Sequence, residues 1–367
     1  MTVRHPVDDG AMPRGLLGLT TALVAIPSVS HVEGPMADAV EAALRLCPWL
    51  TVERVGDNVV ARTDLGRRHR VLMAGHLDTV PPTGGNEEPR VEDGTLYGVG
   101  SADMKGGLAV FLHLAGTIPE PGVDVTWCFY AGEEVAQEFN GLRHLWEHRP
   151  DLLEADAAIL GEPTGGVVEA GCQGTLRVRI SLAGRRAHTA RPFAGRNAIH
   201  RLAPVLAAVA AYEGRRPVLD GCEYVEQLQA VEVSGGVSGN VVPDEASVLI
   251  NHRFAPDRSP EEAEASLRAL LGTLLEPGDR WELTDAAAGA PPSLGHPLLA
   301  GLVSATGQAP QAKQGWTDAS SLWTHGIPAA NFGPGDPLVA HTAGEHVTAT
   351  ELEWAATVLA NLLGNGR

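Results

Sequence analysis

The spacing of apolar and polar residues predicts alternating helices and strands over the first half of the chain. Apolar residues recur at helical spacing from Leu16 and again over Met36–Leu46, after which Pro48 ends the pattern. Strand-like runs follow at 58–62, 70–75, 123–130 and 157–160, with helical segments at 104–115 and 141–148. This alternation predicts an α/β fold with an open, mostly parallel sheet covered by helices.

A different pattern begins at Thr175. The run LRVRISLAG alternates like a half-exposed strand, and a helix at 197–212, strands at 229–233 and 246–254, a helix from Ser259 and a strand at 281–284 follow. This order predicts an inserted α+β domain of the ferredoxin-like type. We assign 1–174 and 287–367 to one discontinuous domain and 175–286 to the insertion. Because LRVRISLAG opens the insertion, we expect it at the edge of its sheet, where a second copy could pair.

Size and charge restrict the classes of partner. A chain of 367 residues exceeds the usual size of one core, which agrees with two domains. A formal net charge of -18 argues against nucleic acid and anionic membranes as partners. Four cysteines without a CxxC pair, no apolar run of about 18 residues and no signal-peptide pattern at the start predict a cytoplasmic protein.

Ionisable side chains collect where the predicted strands end. Open α/β sheets bind ligands at this edge. Asp78 lies two residues after His76, so in an extended segment it faces the same way and could fix the imidazole through a hydrogen bond. Glu133 and Glu134 are adjacent and would point apart, so that one could bind metal while the other moves a proton. The whole set is His76, Asp78, Asp103, Glu133, Glu134 and Glu162.

Histidine and carboxylate together form a mixed nitrogen and oxygen donor set suited to zinc. The carboxylates outnumber what one tetrahedral ion needs, which predicts two ions sharing one carboxylate. A non-ligand carboxylate would then take a proton from water, and Glu133 is the candidate for that base. Cobalt and manganese remain alternatives to zinc.

Seven short sequence motifs support a two-metal hydrolase. They are HLDTVP, GVGSADMKGG, AGEE, GEPT, RRAHTARP, SGNVVPD and FGPGDPLVAH. In this order, from about Ala25 to Val347, the chain resembles the zinc-dependent aminoacylase and carboxypeptidase family. The resemblance implies two zinc ions per subunit bridged by Asp103. It implies that His76 and Glu162 complete one site and that Glu134 and His341 complete the other. Glu133 would be the general acid/base, with Asp78 as the partner of His76.

The resemblance also gives the insertion a role as a lid and dimerisation domain, and it implies a homodimer. His188 matches a residue that reaches the active site of the partner subunit and helps to stabilise the oxyanion. Asn240 and Arg253 match residues that bind the carboxylate of the substrate. Gly315 and Thr317 match a loop that lines the pocket.

Longer sequence motifs restrict the class of substrate. GEPTGGVVEAGCQGTLRV, RFAPDRS, and GWTD with NFGPGDP resemble the desuccinylases of actinobacteria, which implies hydrolysis of N-succinyl-LL-2,6-diaminopimelate to succinate and LL-2,6-diaminopimelate. Two departures bear on the acyl group: Ala319 follows Asp318 where those enzymes carry Arg, and Cys172 and Gln173 stand where better-studied desuccinylases carry two arginines. Basic residues that could substitute are Arg177, Arg179, Arg191 and Arg196.

Three alternatives stay open. The chain could be a related N-acyl amino acid deacylase, either acetylornithine-like or in a specialised biosynthetic pathway. It could be a dipeptidase. A protein of another class, a metal-free binding protein of the same fold, is disfavoured because every ligand position and the base are present.

Overall fold

The computed structural model describes residues 15–364. The predicted lack of a signal peptide concerns residues that lie partly before this range. The α-helices are α1 (Leu16–Val24), α2 (Gly34–Leu44), α3 (Gly106–Thr117), α4 (Gly141–His148), α5 (Ala198–Ala210), α6 (Pro260–Leu271), α7 (Pro297–Thr306), α8 (Ala319–Thr324) and α9 (Ala349–Gly364).

The strands begin with β1 (Thr51–Val55), β2 (Asn58–Arg62), β3 (Arg70–His76), β4 (Arg90–Glu92), β5 (Thr95–Tyr97), β6 (Asp124–Tyr130), β7 (Ala157–Leu160), β8 (Glu169–Ala170), β9 (Gly174–Ala183) and β10 (Ala187–His188). They continue with β11 (Val218–Leu219), β12 (Cys222–Glu223), β13 (Gln227–Gly235), β14 (Val241–Val242), β15 (Glu245–Phe254), β16 (Arg280–Ala287), β17 (Gln311–Ala312), β18 (Ala329–Asn331) and β19 (His346–Thr348).

The described chain divides into two compact units. The first unit runs up to Ala170 and includes Pro292–Gln311 and the chain from Ser321 onward. The second unit comprises Gly171–Pro291 and Ala312–Ser320. The segment Ala312–Ser320 therefore clusters with the second unit, whereas the sequence assigned it to the first. Its contacts explain the difference, since the indole of Trp316 and the hydroxyl of Ser320 both donate to the carbonyl of Ala288.

The first unit contains a mixed sheet in the order β1-β2-β6-β3-β7-β18-β8. The pairs β6/β3, β3/β7 and β7/β18 are parallel, and antiparallel pairs flank them. This confirms the predicted mostly parallel sheet. Strands β6 and β7 are buried along their whole length, and α3 packs its apolar residues into the same core, as expected for a sheet covered on both faces. Within residues 15–364, no helix is both long and apolar enough to cross a bilayer.

The second unit contains a four-stranded antiparallel sheet in the order β13-β15-β9-β16. Helices α5 and α6 pack their apolar faces on it, and β15 alternates between buried and half-exposed residues. Helix α6 begins with a capping box in which the Ser259 hydroxyl and the Glu262 carboxylate each accept from the other's backbone N–H. The chain order is strand, helix, strand, strand, helix, strand, as predicted.

One prediction about this sheet is wrong. The LRVRISLAG strand, β9, lies inside the sheet between β15 and β16 and is not an edge strand. Its backbone groups pair on both sides, so it cannot pair with a second copy. The edges of the sheet are β13 and β16. In a fold of this chain order the first strand is central because the two helical crossovers place later strands on either side of it.

Candidate metal centre

Four predicted metal ligands come together at one end of the parallel strands of the first unit. His76 ends β3, Glu134 follows β6, and Asp103 lies in the turn Ser101–Lys105 that leads into α3. His341 comes from the loop before β19. Single ligand atoms of His76, Asp103 and Glu134 all lie within 4.8 Å of one another.

The Asp103 carboxylate lies between the two imidazoles. Its Oδ1 is 3.1 Å from Nε2 of His76, and its Oδ2 is 3.5 Å from Nε2 of His341. Glu134 Oε1 is 2.9 Å from the same nitrogen of His341. Each oxygen of one carboxylate thus faces a different histidine, which is the orientation that a bridging ligand requires. Mixed nitrogen and oxygen donors in this arrangement fit a pair of zinc-like ions.

The tautomer of His76 is fixed by a backbone contact. Its Nδ1 lies 3.0 Å from the carbonyl oxygen of Asp78, so Nδ1 carries a proton and Nε2 is the ring nitrogen that faces Asp103 and would bind a metal ion. The Asp78 carboxylate is farther away, with Oδ1 3.6 Å from Nδ1. The sequence predicted that Asp78 fixes this ring through its side chain. The backbone oxygen makes the hydrogen bond instead.

The Asp78 carboxylate has other partners, which explains this difference. Its Oδ1 accepts the backbone N–H of Glu133, and its Oδ2 accepts that of Glu134, both at 3.0 Å. The Ser30 hydroxyl also donates to Oδ2, at 2.8 Å. Asp78 is fully buried, and its carboxylate fixes the backbone of Glu133 and Glu134 through these hydrogen bonds. Periodicity does not predict a role for Ser30, because it contacts a residue 48 positions away in the sequence.

Met104 packs beneath the strand ends and is a site residue that the sequence reasoning missed. A Cβ atom at Gly75 or Gly161 would lie 2.6 or 2.7 Å from the Met104 methyl carbon, so a larger residue at either position would displace the Met104 side chain. The backbone N–H of His76 points at the Met104 sulfur, 3.2 Å away. A signal was present in the sequence, since a glycine immediately precedes both His76 and Glu162.

Electrostatics agree with a site that attracts cations. Burial lowers the pKa of His76, but the Asp103 hydrogen bond and the charges of Glu133 and Glu162 outweigh it and hold that pKa well above its usual value. Hydrogen bonds to Asp103 and Glu134 raise the pKa of His341 to about 10. Burial opposes ionisation of Asp103, yet its two histidine partners keep its pKa below the usual range. The structure thus places Glu133 and Glu162 near the ligand cluster.

Behind the cluster lies a buried lysine. Lys105 is in the same turn as Asp103, and its ammonium donates to the carbonyl of Ile26 at 2.7 Å. Burial lowers its pKa to about 7, against the opposing effect of the Glu345 carboxylate. Burial in turn raises the pKa of Glu345.

His188 and Asn240 lie side by side in the second unit. Strands β10 and β14 pair His188 with Val241, and the N–H of Thr189 donates to the carbonyl of Asn240 at 3.0 Å. The Nδ1 of His188 accepts the N–H of Ala190 at 3.0 Å, so the neutral ring carries its proton on Nε2. His188 is exposed and therefore has a hydrogen-bond donor available at its tip.

The other predicted substrate residues also lie in the second unit. Arg253 is half-buried in β15 opposite Thr175, and burial, followed by the charge of Arg177, lowers its pKa. The carbonyl of Thr317 accepts the Cys172 thiol at 3.6 Å. Space is open around a Cβ atom at Gly315.

Comparison with known proteins extends these observations. The model of peptidase family M20/M25/M40 matches residues 72–365. A Mycobacterium tuberculosis (strain H37Rv) protein named DapE, a candidate succinyl-diaminopimelate desuccinylase, is 52% identical over 347 residues, covering 94% of this chain and 97% of that protein. A Corynebacterium glutamicum succinyl-diaminopimelate desuccinylase is 45% identical over 351 residues, covering 94% of this chain and 95% of that enzyme.

Two solved structures share the fold. A Staphylococcus aureus tripeptidase superimposes with a TM-score of 0.78 at 22% identity, covering 95% of this chain and 96% of that chain. A Bacillus subtilis dinuclear metal-binding peptidase of family M20 superimposes with a TM-score of 0.66 at 17% identity, covering 95% and 96%. The family match spans most of the chain, and both relatives match almost end to end. The chain therefore belongs to peptidase family M20/M25/M40 and is a hydrolase of that family.

Proposed function

We propose that this chain is a dinuclear metal amidohydrolase that converts N-succinyl-LL-2,6-diaminopimelate to succinate and LL-2,6-diaminopimelate, a step toward lysine. The proposed chemistry rests on one observation: the two oxygens of the Asp103 carboxylate face two different histidines. The substrate follows from the two relatives with 52% and 45% identity, which bear desuccinylase names.

The proposed metal ligands are the four clustered residues described above, together with Glu162, which lies near them. Asp103 would bridge two zinc ions, with cobalt and manganese as alternatives. His76 and Glu162 would complete one site, and Glu134 and His341 the other. The dinuclear peptidase with the same fold supports a count of two ions. When bound, such ions polarise the amide carbonyl and acidify an attacking water.

Glu133 is the proposed proton carrier. Its backbone is fixed by the Asp78 carboxylate, while its neighbour Glu134 contacts His341. Glu133 would accept a proton from the water as oxygen attacks the amide carbon, and it would return that proton to the amine nitrogen as the C–N bond breaks. The products are then a carboxylic acid and an amine, and transfer of the acid's proton gives a carboxylate and an ammonium ion.

Residues of the second unit are proposed to bind the substrate. The protonated Nε2 of His188 would donate to the oxyanion, in the active site of a partner subunit. Asn240 and Arg253 would bind the substrate carboxylate, and Gly315 and Thr317 would line the pocket. The adjacency of His188 and Asn240 on one ribbon supports a common task for these two residues.

We propose a homodimer formed through the second unit, but by a different strand from the one that the sequence indicated. Among residues 15–364, β13 is an edge strand of its sheet, and its Val231 and Val233 are 56% and 54% exposed. An exposed apolar edge strand is a surface on which a second copy can pair. We place this dimer in the cytoplasm, in agreement with the free thiols of all four cysteines.

A second candidate is a related N-acyl amino acid deacylase with a different acyl group. Gln173, at one of the arginine positions of better-studied desuccinylases, is fully buried and donates to the carbonyl of Val225 at 2.9 Å. Ala319 is buried at the start of α8. Of the substitute arginines, Arg177 pairs with Asp285 and Arg179 with Glu232. Arg196 pairs with Glu276 as well, so three of the four substitute arginines already have acidic partners, which favours a different acyl group.

The test is a substrate panel with metal-loaded protein. N-succinyl-LL-2,6-diaminopimelate, N-acetylornithine, other N-acyl amino acids and dipeptides are compared by kcat/KM, with Glu133→Gln prepared in parallel to measure contaminating host activity. We expect the succinyl substrate to lead by at least about tenfold, since a bidentate carboxylate contact is strongly selective. A higher kcat/KM for a substrate with another acyl group would favour the second candidate. Full metal occupancy without hydrolysis of any compound would overturn the proposal.

A further inference from the structure

The carboxylate of Glu345 joins two segments that carry facing ligands. Its Oε1 accepts the backbone N–H of Asp103 at 3.0 Å and that of Ala102 at 3.1 Å. Glu345 itself lies four residues after His341, and its side chain is almost fully buried. Asp103 and His341 are distant in sequence, so this carboxylate connects the backbones on either side of the cluster.

The backbone of Glu345 is also fixed. Its N–H donates to the carbonyl of Thr342 at 3.2 Å, which closes a turn directly after His341. Its carbonyl accepts the N–H of Gly98 at 3.1 Å, and β19 then pairs with β5, with Val347 opposite Leu96. Main chain and side chain of one residue therefore hold both ends of the segment from Gly98 to Asp103.

Asn86 makes a second connection between the same two segments. Its Nδ2 donates to the carbonyl of Thr342 at 3.1 Å, and its backbone carbonyl accepts the N–H of Val99 at 2.8 Å. The connection by Glu345 is closer to the ligand, because it ends on the backbone N–H of Asp103 itself. Lys105 lies in the same turn as Asp103, and the charge of the Glu345 carboxylate acts on its ammonium group.

We propose that Glu345 is a positioning residue that holds the backbone of Asp103 in register with His341, so that one carboxylate can reach two metal ions. This inference rests on the ligand set of the proposed function. A bridging ligand has to satisfy two ions at once, and so a small shift of its backbone weakens both contacts. Groups that orient metal ligands typically contribute about 10–100-fold to metal affinity. Glu345 acts through hydrogen bonds to Asp103 and contacts no metal.

The experiment compares zinc affinity among three variants by competition with a chromogenic chelator, together with the Tm of each metal-free protein. Glu345→Ala removes both hydrogen bonds, and we expect a loss of affinity of about 10–100-fold. Glu345→Gln keeps an acceptor oxygen but without charge, which weakens the bonds, so we expect a smaller, several-fold loss. Glu351→Ala is the matched control: its carboxylate accepts the N–H and hydroxyl of Thr348 at the start of α9. It should lower Tm and leave zinc affinity unchanged.

The outcomes separate this inference from the proposed function. A wild-type protein that binds no zinc contradicts the proposed metal site itself. Zinc-binding wild type with unchanged affinity in both Glu345 variants overturns the positioning role alone. An equal loss of affinity in Glu351→Ala would also overturn it, because the effect would then reflect general destabilisation. If Glu345→Ala does not fold, Glu345→Gln decides, since a lower affinity at unchanged Tm supports the inference and an unchanged affinity refutes it.

Discussion

Glu133 and Glu134 are neighbours in the sequence, yet the site treats them differently. Glu134 contacts His341 at 2.9 Å, whereas Glu133 affects the cluster through its charge on His76. Both backbone N–H groups bind one carboxylate, that of Asp78. A single buried residue therefore sets the direction of the proposed ligand and of the proposed base together.

Replacing Glu133 by Gln tests this division of tasks. The amide has the same shape but cannot accept the proton of water, so we expect kcat to fall by about 10²–10⁴-fold while both metals stay bound. Metal analysis and steady-state rates measure the two effects. Glu138→Gln, an exposed neighbour, is the control and should be neutral. Loss of a metal from Glu133→Gln, or a normal rate, would reverse the assignment of base and ligand.

Asp103 and His341 should differ in the number of metals that each retains. Asp103 faces two histidines, so Asp103→Ala should empty both sites. His341 faces one end of that carboxylate, and His341→Ala should mainly weaken one site. Metal content per chain after dialysis at a fixed free zinc concentration measures this. Equal losses of one ion in both variants would argue against the bridge.

At the scale of residues, the sequence predicts which ionisable side chains lie close together when those side chains stand at the ends of strands. His76 ends one buried strand and Glu134 follows another, and the parallel arrangement brings these strand ends together. It fails where a contact depends on the path of a loop. The Asp78 carboxylate, Met104 and Glu345 all bind backbone N–H groups or fill space beneath the ligands, and no sequence spacing encodes those partners.

At the scale of elements, the sequence predicts which helices and strands exist better than how the strands pair. The alternation in β9 and β15 was sufficient to predict both strands. It did not reveal that β9 lies between β15 and β16, because an alternating pattern describes one face of a strand and not its neighbours. The chain order of the unit carried that information.

An ion pair joins α5 to the turn that precedes β16 in the second unit. The guanidinium of Arg201 binds both oxygens of Asp279 at 2.7 Å, and the backbone N–H groups of Ala183 and Glu276 also donate to them, each at 2.8 Å. Burial opposes the charge, but these partners prevail and lower the pKa of Asp279 to about 2. The pair should therefore stabilise the second unit.

A depressed carboxylate pKa stabilises the fold above the unfolded pKa, and this contribution is lost as pH falls through the folded value. We expect Asp279→Asn to lower the free energy of unfolding by about 2 kcal/mol at neutral pH. The difference from wild type should shrink between about pH 4 and pH 2. Denaturant unfolding across this range measures it. Asp285→Asn, in the exposed pair with Arg177, is the control. A difference independent of pH would exclude an electrostatic origin.

At the scale of the whole molecule, the chain supplies residues to two units by leaving the first and returning to it. Ala312–Ser320 joins the second unit after the chain has already returned at Pro292. Sequence patterns did not predict that this segment belongs to the second unit, because it contains only the end of the two-residue strand β17 and the start of α8. Gly315 and Thr317, both proposed to line the pocket, belong to it.

The proposed dimer links the second unit of one subunit to catalysis in the other. His188 is exposed and its proton is held on Nε2 by the contact of Nδ1 with Ala190, so it can donate to an oxyanion. His188→Ala should keep its metals and its dimer but lose about 10²–10³-fold in kcat. His200→Ala, another exposed histidine of this unit, should be neutral.

Mixing His188→Ala with Glu133→Gln tests whether the histidine crosses between subunits. Each variant alone is expected to be nearly inactive. In a mixed dimer, one active site combines an intact Glu133 with the intact His188 of the other subunit, so activity should return as subunits exchange. Exchange is followed independently by fluorescence transfer between labelled subunits. Demonstrated exchange without recovered activity would show that His188 does not act across the dimer, and a fully active monomer would show that no partner is needed.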